Sequence, residues 1–396
     1  MGFTLRGVRL IDAETEIFDT DITIDGTQIQ AIGHSTDTQG DIIDATDMIA
    51  MPGFIDIHTH GGGGFSLHTV DAEEIRAYAR WVPTTGVTSF LIGVVGTAGS
   101  LPEEQLSAAV DAIEGKSTGA EPLGIHLEGP YINVIRRGAH LPEWLRMPNV
   151  AEMERVLALA KGHLRLIALA PELPGASAMI RQLVDAGVTV SIGHTDATYQ
   201  QALEAIPLGI THATHCFNAM RPIHHRTPGP IEAIAQVEQV RGELIADGIH
   251  VHPAAMNILV RILGPKRAIV ITDAQAGAGI PNATFNFAGQ PAKVIRGAAR
   301  LSDGTLAGSI LTMDQALRNM LQMTEVSLQE AVGMLTLNPA QAVHASERKG
   351  LLQSGYDADV LLFDTTLKLQ ATFCRGTLVF ATDTWRERLK RNFSPF

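Results

Sequence analysis

Apolar residues in the middle of the chain fall in short runs, and each run is followed by a loop and then by a helical repeat. The runs are GFIDIHTH (53–60), GVTSFLIG (86–93), PLGIHLEG (122–129), LRLIALAP (164–171), GVTVSIGH (187–194), GITHATH (209–215), GELIADGIH (242–250) and RAIVITDA (267–274). Between most of them, AEEIRAYARWVPTTG, PEEQLSAAVDAIEG, VAEMERVLALAKG and ASAMIRQLVDAG place apolar residues at helical spacing. Alternating strands and helices imply parallel strands joined by helical crossovers. Eight such units predict an α/β fold, a closed (β/α)8 TIM-type barrel. The competing arrangement, an open doubly wound sheet, would leave two strand edges, and no glycine-rich dinucleotide fingerprint follows any run.

The two ends of the chain have a different pattern. FTLRGVRLI, DITIDGTQIQAIG and IIDATDMIAMPG at one end, and ADVLLFDTTLKLQATFCRGTLVF at the other, are short strand-like runs. Asp25-Gly26 between two of them marks a hairpin. Neither end has apolar residues enough for its own core, so both are expected to combine in one small β-sandwich domain. Its limits are residues 1–50 plus 350–396, flanking a catalytic barrel of residues 51–349. The stretch 275–310 is rich in Gly and Ala and contains ATFNFAG; it predicts a loop or hairpin over the barrel mouth. LTMDQALRNML and SLQEAVGMLTLNPAQAVH read as closing helices, with Asn338-Pro339 as a turn or helix start.

Composition narrows the function. At 396 residues the chain exceeds the ~250–300 residues at which one core stops growing, which suits a large domain with a small one. A formal charge of -12 without basic runs argues against a nucleic-acid partner. It leaves room for a small anion, which one or two arginines can hold. Two cysteines, Cys216 and Cys374, imply no disulfide framework and a reducing compartment, so a cytoplasmic location is expected. The start, MGFTLRGVRLID, reads as an ordinary terminus, and no run has the length of a membrane helix, so no membrane partner is expected.

The chemistry gathers at the ends of the predicted strands, which share one face of a barrel. His58 and His60 end the first run, Glu128 the third, His194 the fifth, His215 the sixth and Asp273 the eighth; His250 closes the seventh. His58 and His60 are two apart on a strand and so face one side. Alone, such a pair could equally be two hydrogen-bonded histidines; among the other strand ends it points to metal. Imidazoles with a carboxylate suit zinc or iron, and Asp273 is placed as general base for a metal-activated water. His126 fits a buried structural role better than a direct one. On the loop HCFNAMRPIHHRTPG, Asn218, His224, His225 and Arg226 could meet an anion, with Arg226 able to fork onto a phosphate. YINVIRRGAH fits a lid or a surface turn, and Gly308 and Ser309 could offer backbone donors.

Taken in order, PGFIDIHTHGGGG, HLEGPYIN with RRGAH, SIGHTDA, THATHCFNAM with HHRTPG, IADGIHVHP, ITDA, LAGSILTMDQALRN, NPAQAV and KGLLQSGYDADVLLFD resemble the N-acetylglucosamine-6-phosphate deacetylases of the amidohydrolase superfamily. The resemblance covers nearly the whole chain. It implies a metal-dependent hydrolase that removes the acetyl group from N-acetyl-D-glucosamine 6-phosphate, with Glu128, His194 and His215 holding the principal divalent ion. Asp273 is implied as the base that later protonates the leaving amine, and His140 as the group that polarises the acetyl carbonyl. His250 would contact the sugar, and Asn218, Ala219 and Arg226 the phosphate. A homodimer whose neighbouring subunits help complete the sites is also implied. Retention of His58 and His60 allows a second ion, so one or two ions of zinc or iron(II) per subunit are expected. Tyr131 and Arg137 stand where the family more often has Phe and Lys, and QAGAGIPN replaces a methionine-containing version. The alternatives are the galactosamine 6-phosphate substrate, a cyclic-amide or nucleobase hydrolase on the same barrel, and a sugar-phosphate sensor without catalysis.

Overall fold

In the computed structural model, which describes residues 2–34, 40–116 and 118–392, eight parallel strands follow one another in sequence order. They are Phe54–Asp56, Val87–Val95, Glu121–Glu128, Leu164–Leu169, Thr189–Ile192, Ile210–Ala213, Arg241–Ile245 and Ala268–Ile271. Each lies within, or within two residues of, a run expected to be a strand. Their apolar continuity reflects burial on both faces: all nine residues of Val87–Val95 are buried. The first and eighth strands are joined just beyond their C-terminal ends. There Thr272 Oγ1 donates to Asp56 Oδ2 (2.6 Å), Asp273 N to His58 O (2.8 Å) and His60 N to Ala274 O (2.8 Å). The seam that nearly closes the barrel therefore carries His58, His60 and Asp273.

The predicted crossover helices form over Ala72–Trp81, Glu103–Glu114, Val150–Ala160 and Ala176–Asp185. Their starts show why the helices begin where they do. Asp71 caps the first through Glu73 N, and Asn149 caps the third through Ala151 N and Glu152 N. Each helix turns one apolar stripe, such as Ile75, Tyr78 and Ala79, onto the strands. The closing helices are Met313–Met323, Leu328–Leu335 and Leu337–Ala342. No helix among the described residues is long and apolar enough to cross a membrane.

The chain ends share one sheet. Its path runs Thr377–Ala381, Leu369–Cys374, Val360–Phe363, Ile49–Pro52, Phe3–Ile11, Glu16–Asp25 and Gln28–Ile32, with Asp41–Asp44 also pairing with Phe3–Ile11. The junction between the ends is antiparallel, with Val360 opposite Pro52 and Phe363 opposite Ile49. Phe3, Leu5, Ile22, Ile24, Val360, Leu362 and Phe373 fill a core separate from that of the barrel. The expected limits of the small domain include residues 1, 35–39 and 393–396, which lie outside the described residues. Over the barrel mouth sits a three-stranded antiparallel sheet, Thr284–Phe287, Gln290–Ile295 and Ala298–Leu301. It has one strand more than the expected hairpin. The second turn falls at Arg296 and Gly297, both with positive φ (50° and 79°), the backbone of a two-residue hairpin loop.

A buried ion cluster links barrel and small sheet. Lys349 Nζ lies 2.6 Å from Asp359, 2.9 Å from Asp357 and 3.0 Å from Glu121, and Arg348 pairs with Glu121 and Asp357. Burial pushes the Glu121 carboxyl up, but Arg348 and Lys349 outweigh it and hold it at about 2. A carboxyl so depressed stabilises the fold fully above its ordinary 4.5, and that contribution is lost as pH falls toward about 2. Lys349→Met should leave three carboxylates short of a cation and cost ~3 kcal/mol in urea unfolding at neutral pH. The variant should also lose less stability than the wild type between pH 4.5 and 2. Equal unfolding midpoints for the two proteins at both pH values would refute this account.

Candidate metal centre and active site

The six residues expected as metal ligands and base converge at the C-terminal ends of the strands. Glu128 is the hub. Its Oε1 lies 3.0 Å from His194 Nε2, 3.1 Å from His215 Nε2 and 3.4 Å from His58 Nε2; its Oε2 lies 3.2 Å from His60 Nε2 and 3.4 Å from His140 Nε2. Asp273 Oδ1 lies 3.4 Å from His60 Nε2 and 3.7 Å from His58 Nε2. Glu128, His194 and His215 form one compact donor group, and His58, His60 and Asp273 a second; within each, the donor atoms lie within 4.8 Å of one another. All six residues are buried.

Local backbone aims these side chains. His194, His215 and Asp273 each stand two residues past the end of their strands with φ of 46°, 26° and 47°, a left-handed turn that non-glycine residues rarely take. The turn swings each side chain from the strand direction into the barrel mouth. His194 Nδ1 donates to Arg136 O at 2.8 Å, so its Nε2 is free to coordinate. The segment with RRGAH is thus neither loose lid nor plain turn. Arg136 anchors to Asp196, Arg137 Nη1 donates to His140 O at 2.6 Å, and Gln290 Nε2 donates to Ala139 O at 2.9 Å. Gly93 makes room beside the second group: a Cβ there would sit 2.8 Å from His60 Nδ1 and 2.2 Å from Thr59 O.

Protonation follows from this crowding. Burial pushes Glu128 up, but His58 and its neighbouring imidazoles outweigh it and hold the carboxyl well below its usual range. Asp273 is likewise lowered, with burial overcome by the hydrogen bond from His60 and the charge of His58. Burial pushes His60 down, yet Asp273 and Glu128 raise it to about 9. His140 is lowered, chiefly by burial, and so favours a neutral ring. Carboxylate oxygens and bare imidazole nitrogens are all acceptors, and packing them this closely requires a cation among them, a proton or a metal ion. His58 Nε2 is buried without a hydrogen-bond partner among the described residues and faces both carboxylates. The donor chemistry therefore fits a divalent ion in each group, mixed imidazole and carboxylate sets suiting zinc or iron.

A cleft of about 300 Å³ opens onto these residues. Of the substrate residues expected from the sequence, His140, Asn218, Ala219 and His250 line it. Arg226 does not: it is exposed on its loop, with Nη1 2.8 Å from His225 Nε2. Ser309 N donates to Asp273 O at 2.7 Å and so is not a free donor, while Gly308 does reach the cleft wall. Gln275, Phe287 and Arg300 line the cleft without having been singled out; the last two come from the sheet over the mouth. His250 Nδ1 is 2.7 Å from Asp247 Oδ2, and burial, which would lower its pKa, is outweighed by that carboxylate. His126 is fully buried, its ring edge-on to His58 at 4.4 Å between centroids, with neither nitrogen partnered among the described residues. Two further buried polar residues, Glu243 and His212, were also missed. A carboxylate inside the apolar run GELIADG was the available signal, because a charge buried there demands partners.

Glu128→Gln should weaken metal at both groups, since one oxygen faces His194 and His215 and the other faces His60. A fall of more than tenfold in zinc affinity, read by competition with a chromophoric chelator, is expected; unchanged affinity for every equivalent bound would rule the hub role out.

Comparison with known proteins matches the amidohydrolase family over residues 49–384. An N-acetylglucosamine-6-phosphate deacetylase of Lysinibacillus sphaericus is 35% identical over 384 residues, 97% of this chain and 99% of that one. An N-acetylgalactosamine-6-phosphate deacetylase of Escherichia coli is 34% identical over 378 residues, 96% of this chain and 99% of that one. Among solved structures, a variant of the Mycobacterium smegmatis N-acetyl-D-glucosamine-6-phosphate deacetylase, in complex with N-acetyl-D-glucosamine-6-phosphate, superposes with a TM-score of 0.89. It is 33% identical, with 96% of this chain and 99% of that one covered.

Proposed function

The chain belongs to the amidohydrolase family, and on that premise we propose that it hydrolyses the acetamide of N-acetyl-D-glucosamine 6-phosphate to acetate and D-glucosamine 6-phosphate. The observation that carries this reading is one cleft shared by the Glu128, His194 and His215 group, the base Asp273 and two basic residues, His250 and Arg300.

Glu128, His194 and His215 would hold the principal ion, zinc or iron(II), with His58, His60 and Asp273 offering a second place. An ion so held supplies Lewis acidity toward a carbonyl oxygen and makes a nearby water more acidic. The remaining work belongs to side chains. Asp273, kept ionised, accepts the proton of the attacking water as the new C–O bond forms at the acetyl carbon. It returns that proton to the sugar nitrogen as the C–N bond breaks, so the products are acetate and a free amine. His140, neutral at its buried position, donates a hydrogen bond to the carbonyl oxygen on which negative charge builds. Asp247 fixes the His250 ring at the sugar and phosphate side of the cleft.

The phosphate end is assigned to Arg300 and His250, with Asn218 and Ala219 beside them. Arg226 does not line the cleft of its own chain; its phosphate role belongs to a homodimer in which it reaches the neighbouring subunit's site. Cys216 and Cys374, buried and unpaired, suit the cytoplasm.

Acetate release from purified, metal-loaded protein tests the reading. Asp273→Asn should lower kcat by ~10²–10⁴ with little change in KM. Arg300→Ala should raise KM about tenfold or more for the phosphorylated sugar, the size of a charge-assisted hydrogen bond. Arg226→Ala should raise KM only where the protein is dimeric. No acetate from any N-acetylated sugar phosphate would end the proposal, and a higher kcat/KM for N-acetylgalactosamine 6-phosphate would transfer it to that sugar.

A further inference from the structure

Glu243 has no part in the chemistry just described, yet it is the most enclosed carboxylate near the site. It lies inside the strand Arg241–Ile245 and is 0% exposed. Both oxygens accept. Oε2 takes His58 Nδ1 at 2.8 Å and the His215 backbone N–H at 2.9 Å; Oε1 takes His212 Nε2 at 2.9 Å. A carboxylate accepting from three donors is acceptor-only, so the proton of the His58 ring is held on Nδ1. The nitrogen left to give up its proton to an ion is then His58 Nε2, buried and unpartnered among the described residues, 3.4 Å from Glu128 Oε1 and 3.7 Å from Asp273 Oδ1. In the opposite tautomer, His58 Nδ1 would confront Glu243 acceptor to acceptor.

The same carboxylate thus grips one residue from each donor group. It holds His58 by its side chain and His215 by its main chain, where φ is 26°. The two ties differ in consequence. Breaking the first frees the His58 ring to rotate and take the wrong tautomer; breaking the second loosens a turn that the His215 ring still spans.

We propose that Glu243 is the positioning residue of the second ion site: it locks His58 as an Nε2 ligand and sets its distance from the Glu128 group. The proposal rests on the metal-binding part of the reading above, and on none of the substrate assignment. Carboxylate partners of coordinating histidines typically matter ~10- to 100-fold in affinity.

The test counts zinc. Metal-stripped full-length protein is reconstituted with zinc alone, desalted and measured by mass spectrometry, with stepwise affinities from chelator competition. The wild type should hold two equivalents per chain. Glu243→Gln should keep the first at wild-type affinity and bind the second about 10- to 100-fold more weakly. His58→Ala should give the same one-equivalent pattern, and Glu243→Asp should recover part of the loss. Two equivalents at wild-type affinity in folded Glu243→Gln overturn the proposal, and so does a wild type that binds only one. Should Glu243→Gln not fold, the zinc-loaded wild type enriched in 15N-histidine decides by NMR. The His58 proton should appear on Nδ1, and a proton on Nε2 overturns the proposal. Neither readout involves turnover, so a protein that passes both and releases no acetate fails only as a deacetylase.

Discussion

Everything at the barrel mouth answers to one buried charge. Glu128 ends the third strand with its side chain 5% exposed, and among the described residues no Lys or Arg pairs with its carboxylate; five imidazoles surround it instead. An isolated carboxylate in such a place would cost several kcal/mol, even after relaxation. Imidazoles differ from lysine or arginine in being able to give up their protons and still bind a cation. The arrangement therefore satisfies the carboxylate in two ways, with protons on the rings or with ions between the rings and the oxygens. Metal uptake and proton release are then the same event. That is why the site can be fully buried and still be chemically active.

The rest of the fold supports this exchange. The turns after three of the strands are left-handed, so His194, His215 and Asp273 are aimed by the backbone rather than by long flexible stems. The barrel seam, fastened by Asp56, Thr272, His58 and Asp273, puts the second donor group on a junction that cannot shift without opening the barrel. Far below, the Lys349 cluster ties the first residue of the third strand to the small sheet. The strand that carries Glu128 at one end is thus fixed at the other by Glu121.

Much of this was legible in the residues. Strands covered on both faces must be apolar throughout, so eight runs such as GVTSFLIG stood out, and the polar residues that ended them could only be there for chemistry or caps. The joining of the chain ends was legible as a shortage, since neither had a core. Other features were hidden for stated physical reasons. The third strand over the mouth was masked by Gly and Ala, which read as loop although Arg296-Gly297 forms its turn. Arg300 gave no signal because a cleft-lining arginine on an exposed strand looks like any surface arginine. Glu243 did give one, a charge amid apolar neighbours, and its meaning depended on partners 31 and 185 residues away. Local pattern tells which residues are expensive to bury; only the fold tells which others share the cost.

Asp273 shows how far the two donor groups can be separated. Its Oδ1 is the oxygen that meets both His58 and His60, and the same residue lines the cleft. A carboxylate has two oxygens, so one can face the His58 and His60 pair while the other serves the substrate side. The division works only if Asp273 does not rotate. Its backbone is pinned on both sides, by N–H to His58 O and by C=O from Ser309 N. A Cβ at Gly308 would press within 2.6 Å of that same carbonyl. The histidine pair and the proposed base are therefore one mechanical unit. Loss of the pair would alter the charge that keeps Asp273 ionised as well as the number of ions held, and the number of ions cannot be treated as independent of the strength of the base.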